Sequence, residues 1–519
     1  MATMYIYPID NATKAENNPN TGEAWAAVDD VQGAPDDDTT YLAGGGISTY
    51  KYNTFYVRYV PAGTISSVVL RWRGKYVTSS TKARTYCKVD GSWQSGSEQT
   101  MTTSYANYST TLTAPGGGWT PAKLAATEFG IGIYNTSGRV TQCYLEVTYA
   151  ADNITISSDT TATAKYILGA GKTMTINAGV TLTRDPGLED TLIYGPSGGN
   201  TIYCYGTIDG DRENCDSGDS PLIWLVGTGN SVQGASNIAR GTIKGNRHSG
   251  IVLDDPVNSF VKWIDVEDMY SEDTDPVQKV GVGILFWGYG GLGSSYTGNY
   301  VTYCSVKRSG LHGIQFCDCD GGEVSYTDVD GVYANFGVSG FGYGDTPSGF
   351  YVHHCTIKNC RAEWFNIESM NGTIRFENNT CENTREDYGI SLFKCPATNG
   401  TVLNNSFARS FKDCIGLIGA SGFTVSGNTL IDCARGGDHH SAILLQGQTT
   451  QNTQNNTIED NIIIDNQANP YIWYAIKEVD AESHIATGNT IQDNQVYNYR
   501  VLPVHLAGHT STESDNGGG

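Results

Sequence analysis

Positive charge is scarce in this chain. Only 32 Lys and Arg stand against 54 Asp and Glu among 519 residues, a formal net charge of −22 with a pI near 4.7. Such a surface repels phosphate backbones and anionic headgroups, which argues against nucleic acid and anionic membranes as partners. It also leaves a strongly anionic polysaccharide without a grip unless a local basic patch or Ca²⁺ intervenes. No apolar run reaches the roughly 20 residues that span a bilayer, so no membrane insertion is expected. The opening MATMYIYPID has neither a basic n-region nor an apolar h-region, so no signal peptide is expected. A virion component released by lysis would need none. The 13 cysteines are odd in number, and those from Cys204 to Cys433 read as small buried hydrophobes. The pair Cys317 and Cys319 lacks a second ligand pair, so no metal site is predicted there.

What the chain does have is a recurring motif, roughly Asn-Asn-Thr-Ile-x-x-Asn, followed about ten residues later by Gly-Ile-x-Leu. Full copies run through Asn379, Asn405, Asn428, Asn456 and Asn489, and weaker ones lie at Gly206, Gly241, Ile264, Cys304, Tyr326 and Cys355. Spacings of 22 to 40 residues, with short alternating strands and Asn or Gly corners, predict a parallel β-solenoid. Equivalent residues of successive coils then stack at about 4.8 Å. Alternate Ile, Val, Leu and Phe face inward, while Asn amides ladder along a corner.

With those motifs in view, residues from about 152 to 505 resemble the right-handed parallel β-helix, or pectin-lyase-like, superfamily. KTMTINAGVTLT followed by YGTIDGDREN is similar to the first coils of polysaccharide-degrading members and tailspikes. The resemblance implies an extracellular or virion-surface protein that acts on a polysaccharide, and its tailspike branch implies a homotrimer. It implies no single reaction. The Asn-Thr-Asp…Asp-Asp…Gly-His-Gly set of polygalacturonases and the Asp-Pro-His signature of alginate epimerases are both missing.

Residues 1–150 carry no coil motif. Runs such as TFYVRYVP, SSVVLRWRGKYV and VTQCYLEVTYA predict a jelly-roll-like antiparallel β-sandwich. It would serve as a carbohydrate-binding or anchoring module, with Trp72, Trp93 and Trp119 as candidate sugar-stacking rings. The fold expected overall is therefore all-β: the sandwich, a parallel β-helix over 151–509 with about 10–12 coils, and a disordered tail at 510–519. The longest insertion, Asp265 to Asn299, is first acidic and then aromatic. It could bind Ca²⁺ and supply Trp287 and Tyr289 to a substrate groove.

Stacking turns the search for chemistry into a search for columns. The turn before each Gly-Ile-x-Leu strand is charged in successive coils, and Asp387, Asp413 and His440 are expected to share one column there. Carboxylates one coil apart approach the roughly 5–5.5 Å of retaining glycosidases. Crowding raises one of the two pKa values and makes a general acid. Asp387, Asp413 and His440 are therefore the predicted catalytic set, with Glu368, Arg385 and Lys394 nearby for neutralisation or proton abstraction. Glu363, Lys412, Arg435 and His439 are predicted substrate contacts. Asp254 shares the Glu368 offset but lies four coils, about 19 Å, away and cannot partner it. His353 and His354 read as structural, one of them facing inward. Three functions fit these columns: hydrolysis or β-elimination of a polysaccharide, glycan binding without turnover in an adhesin or structural spike, and, more weakly, uronate epimerisation.

Overall fold

The computed structural model describes every residue except 1, 20–21, 31–33, 47, 62, 189, 216–219, 272–274, 276–278, 289–295, 343–346, 438, 481–483, 508–509, 515 and 519. Two compact units emerge, one comprising 1–155, 161–174 and 192–194, the other 156–160, 175–191 and 195–519.

The first unit is built from two antiparallel sheets of six strands each. In the long strand Gly63–Tyr76 alternate residues Val68, Leu70 and Trp72 are buried, the period-two pattern of a sheet with one wet face. Phe55 and Phe129 meet edge-to-face at 5.9 Å in the other sheet. Trp72 and Trp119, candidate sugar-stacking rings, are core residues at 1% and 7% exposure. Trp72 spends its ring face on Tyr108 at 4.0 Å. Trp93 does reach the surface, stacked on Tyr86 at 4.6 Å.

The second unit is the coil stack. Its strands pair in parallel and in register along three faces. The first face runs from Thr201–Cys204 to Thr512–Ser514, the second from Thr181–Arg184 to Gly517–Gly518, and the third from Ile223–Val226 to Leu502–His505. On the second face Val306, Val329, Ile357, Cys381, Phe407 and Leu430 occupy one inward column and are buried. Beside it the outward column alternates in sign over successive coils: Asp209, Lys244, Glu267, Lys307, Asp330, Lys358, Glu382. Each charge has opposite neighbours one rung away, so the column attracts in register and repels when slipped by one coil.

Between the first and second faces, Asn379, Asn405, Asn428, Asn461, Asn494 and Asn516 form a buried amide ladder. Each side-chain N–H donates to the next side-chain carbonyl at 2.9–3.0 Å. Asn456 and Asn489, whose sequence motif looked identical, belong to a second ladder instead. Asn461 and Asn494 sit five residues further on and take the corner. The residue before each of these corners is left-handed, at Asn378, Asn404, Gly427, Asp460 and Asp493 with φ between 54° and 64°, a conformation that glycine adopts freely and that asparagine and aspartate tolerate best after it.

Two expectations fail here. His353 and His354 both lie outside the core, with their Nδ1 atoms 2.9 Å apart and His353 Nε2 3.3 Å from Glu323. The tail is no loose end, because Thr512–Ser514 pairs with Thr490–Gln492 and extends the first face.

Candidate active site

The site lies where the chain turns into the third face. There Phe365, Ile390, Ile415 and Ile443 share one inward column. Counting back two residues puts Glu363, Tyr388, Asp413 and Ser441 in one largely buried column; counting back three puts Asp387, Lys412 and His440 in the next, more exposed one. The predicted column of Asp387, Asp413 and His440 is therefore one residue out at its middle member. Ile415 pairs with Ile390, so the residue equivalent to Gly389 and Ala442 is Cys414, not Ile415. A one-residue slip moves a side chain to another position on the pleat.

The corrected register assembles a compact cluster. Lys412 Nζ lies 2.9 Å from Asp387 Oδ1, which also accepts the Tyr388 peptide N–H at 3.1 Å. Asp413 is buried and fully engaged. Its Oδ1 accepts the Ser441 N–H at 2.6 Å and the Ser441 hydroxyl, and its Oδ2 faces His440 Nδ1 at 3.1 Å. Glu363, 5% exposed, has an Oε2 with no hydrogen-bond partner among the described residues. Burial pushes its pKa from the usual 4.5 up to about 8, the charge of Asp387 adds to the rise, and Asn366 and Lys412 partly oppose it. The Tyr388 phenol is pushed up as well, chiefly by burial and then by Asp413, Asp387 and Glu363. Glu363 thus keeps its proton at neutral pH beside a partly exposed carboxylate, which is how a general acid is held ready.

Several predicted contacts do not join the cluster. Glu368 and Lys394 stand at the opposite end of the strands Phe365–Glu368 and Ile390–Phe393. Five residues separate Glu368 from Glu363, about 16 Å of extended chain. Lys394 instead lies over the Phe393 ring at 5.0 Å. Arg435 is tied to backbone, donating to the Thr384 and Arg409 carbonyls at 3.1 and 2.9 Å. His439 packs on Trp473 with ring centres 4.1 Å apart. Arg385 is exposed on the rim, its peptide N–H bonded to the Cys360 and Arg361 carbonyls at 3.2 Å. Trp287 is 39% exposed in the Glu368 column, three rungs earlier. Tyr289 lies outside the described residues. Asp254 sits four rungs from Glu368, as expected. In the acidic insertion Asp265 pairs with Arg240 and Asp268 with Arg308. Among the described residues no group of three or more His, Cys, Asp or Glu is placed to hold a metal ion.

Tyr388, Asn366 and Ser441 were missed by sequence reasoning. Ser441 and Tyr388 follow from the register alone. Asn366 carries a signal that period two makes visible, a polar residue one position after the column anchor Phe365.

Residues 281–453 and 343–516 match the family described as right handed beta helix region. No curated protein matches the chain in sequence. Among solved structures it is similar to the Dettilon tailspike protein at 16% identity and TM-score 0.42, covering 68% of this chain and 66% of that one. It is similar also to the catalytic domain of a GH87 alpha-1,3-glucanase at 14% identity and TM-score 0.40, covering 99% and 98%. The periplasmic alginate epimerase AlgG aligns at 8% identity and TM-score 0.48, covering 72% and 85%. Three parallel faces, stacked corner amides and the match over the later coils agree on the fold: a right-handed parallel β-helix preceded in sequence by an antiparallel sandwich.

Proposed function

We propose that the third face binds a polysaccharide and hydrolyses its glycosidic bonds, with Glu363 as proton donor and Asp387 as the charged partner. The observation that supports this most is the raised pKa of Glu363, to about 8, one coil from the more exposed carboxylate of Asp387. Adjacent coils lie about 4.8 Å apart, close to the roughly 5–5.5 Å between the carboxyl groups of retaining enzymes. Glu363 would protonate the departing glycosidic oxygen. Asp387 would attack the anomeric carbon, its orientation held by Lys412 and the Tyr388 N–H, and water deprotonated by the Glu363 carboxylate would then release the sugar from Asp387 and restore both groups. Asp413, with both oxygens bonded, positions His440 and Ser441 and contacts no substrate. β-Elimination fits less well, because it needs a cation for the uronate carboxylate and the cation in this cluster, Lys412, is already paired with Asp387. Such an activity belongs outside the producing cell, on a virion or as a secreted depolymerase.

Binding without turnover is the second reading, favoured by the enclosure of Glu363 Oε2. The test is cleavage of neutral and uronate polysaccharides by wild type, Glu363→Gln and Asp387→Asn, following reducing ends and the ultraviolet absorbance of unsaturated products together. Hydrolysis predicts new reducing ends without absorbance, lost in both variants. Absorbing products would establish elimination. No turnover on any substrate would leave the flank as a binding surface.

A further inference from the structure

The sandwich unit contains a cavity of about 580 Å³ that the cleavage chemistry does not use. Its volume lies within the roughly 300–1,000 Å³ of small-ligand sites. The floor is the face of the sheet opposite its core, formed by Arg71 and Arg73 with Asn107, Ser109, Tyr144 and Glu146 from the flanking strands. Nearly every one of these side chains carries hydrogen-bonding groups, and the longest are fixed. Arg71 holds Glu146 through two bonds at 2.6 and 2.8 Å. Arg73 holds Asp37 in the same way at 2.7 and 2.8 Å and reaches Asn107 at 3.3 Å. Tyr144, 5% exposed, is clamped by the rings of Tyr5 and Tyr7 at 5.8 and 5.4 Å.

We propose that this cavity binds a neutral, hydroxyl-rich oligosaccharide. Two observations select that class. Both guanidinium groups are already neutralised by bidentate carboxylates, so an anionic ligand meets no unspent positive charge, and a net charge of −22 repels it further. The lining sets two guanidinium forks and the amides of Asn107 and Gln142 beside the Ser109 hydroxyl, groups that suit vicinal hydroxyl pairs that donate and accept at once. An apolar ligand would have to strip water from these groups without replacing their bonds. Because Glu363 and Asp387 take no part in the cavity, its occupancy is separable from cleavage.

The test is affinity electrophoresis of the full-length protein carrying Glu363→Gln, in gels containing dextran, mixed-linkage β-glucan or galactomannan, with alginate and polygalacturonate as anionic counterparts. Ser109→Trp fills the cavity from an exposed strand position, and Asn107→Ala removes an amide without filling it. The expected result is retardation in at least one neutral gel. It should fall about tenfold or more in Ser109→Trp and less in Asn107→Ala, with both variants unfolding at the parental temperature. Retardation indifferent to both substitutions, retardation confined to anionic gels, or no retardation in any neutral gel overturns the proposal. If wild type cleaves none of the polysaccharides but retardation of the Glu363→Gln protein is present and lost in Ser109→Trp, the hydrolase reading fails and this one stands.

Discussion

The proton on Glu363 has a thermodynamic consequence that can be measured without knowing the substrate. Its pKa is about 8 in the folded chain against a usual 4.5. Between those limits the folded state holds a proton that the unfolded state has released. Stability is therefore full below pH 4.5 and is lost as pH rises through 8. At about 1.4 kcal/mol per pH unit, the loss at pH 7 is about 3 kcal/mol. Glu363→Gln keeps the shape and hydrogen-bonding capacity of the neutral acid but has no proton to lose. It should match wild type near pH 4.5 and exceed it by about 3 kcal/mol at pH 7. For a helix of roughly 350 residues, with an unfolding entropy of about 0.7 kcal/mol/K, that difference is a rise of about 4 °C in Tm. Scanning calorimetry of both proteins from pH 4.5 to 9 reads it directly. Asp387→Asn, by removing the second cause of the rise, should lower the folded pKa of Glu363, so that the loss is smaller and is complete at lower pH. A gap between wild type and Glu363→Gln that stays constant across the range would refute the account of a buried, neutral Glu363.

Further expectations concern the scaffold. Asn428→Ala removes the acceptor of Asn405 and the donor to the Val402 carbonyl. It should cost about 2–4 kcal/mol in denaturant unfolding, whereas Thr424→Ala on the wet side of the neighbouring face should cost under about 0.5. Lys394 has φ of 54° and no place in the cluster; Lys394→Gly should leave cleavage intact and raise stability by about 0.5–1 kcal/mol. Lys307→Glu sets like charges beside Glu267 and Asp330 in the alternating column. It should destabilise by about 0.5–1.5 kcal/mol, an effect that shrinks in high salt. All 13 cysteines are free and buried, and burial raises thiols such as Cys304 and Cys355 to about 12. The native protein should resist thiol reagents at pH 8 until denatured; rapid labelling of the native state would contradict this packing.

Particular residues show where sequence reading stops. Ile357 and Leu430 announce their inward orientation, because a period of two with branched apolar side chains has one reading in a sheet with a wet face. The Asn corners are legible for the same reason, since only a few residues take a left-handed turn and satisfy a neighbour's amide. Asn456 was assigned to the wrong ladder because its local sequence matches that of Asn428, and which coil face a motif occupies is not local information. Asp413 was misplaced by one position because Cys414 and Ile415 are both apolar and either could begin the strand.

The alternation, the corner residues and the period near the mid-twenties thus determined a parallel coil stack preceded by a sandwich. These are properties of consecutive residues and their side-chain volumes. Which charges meet was decided only in three dimensions. Register between coils 25 residues apart set Lys412, rather than Asp413, against Asp387. The depth of the turn around Glu363 raised its pKa, because desolvation depends on what packs over a carboxylate and not on what precedes it in the chain.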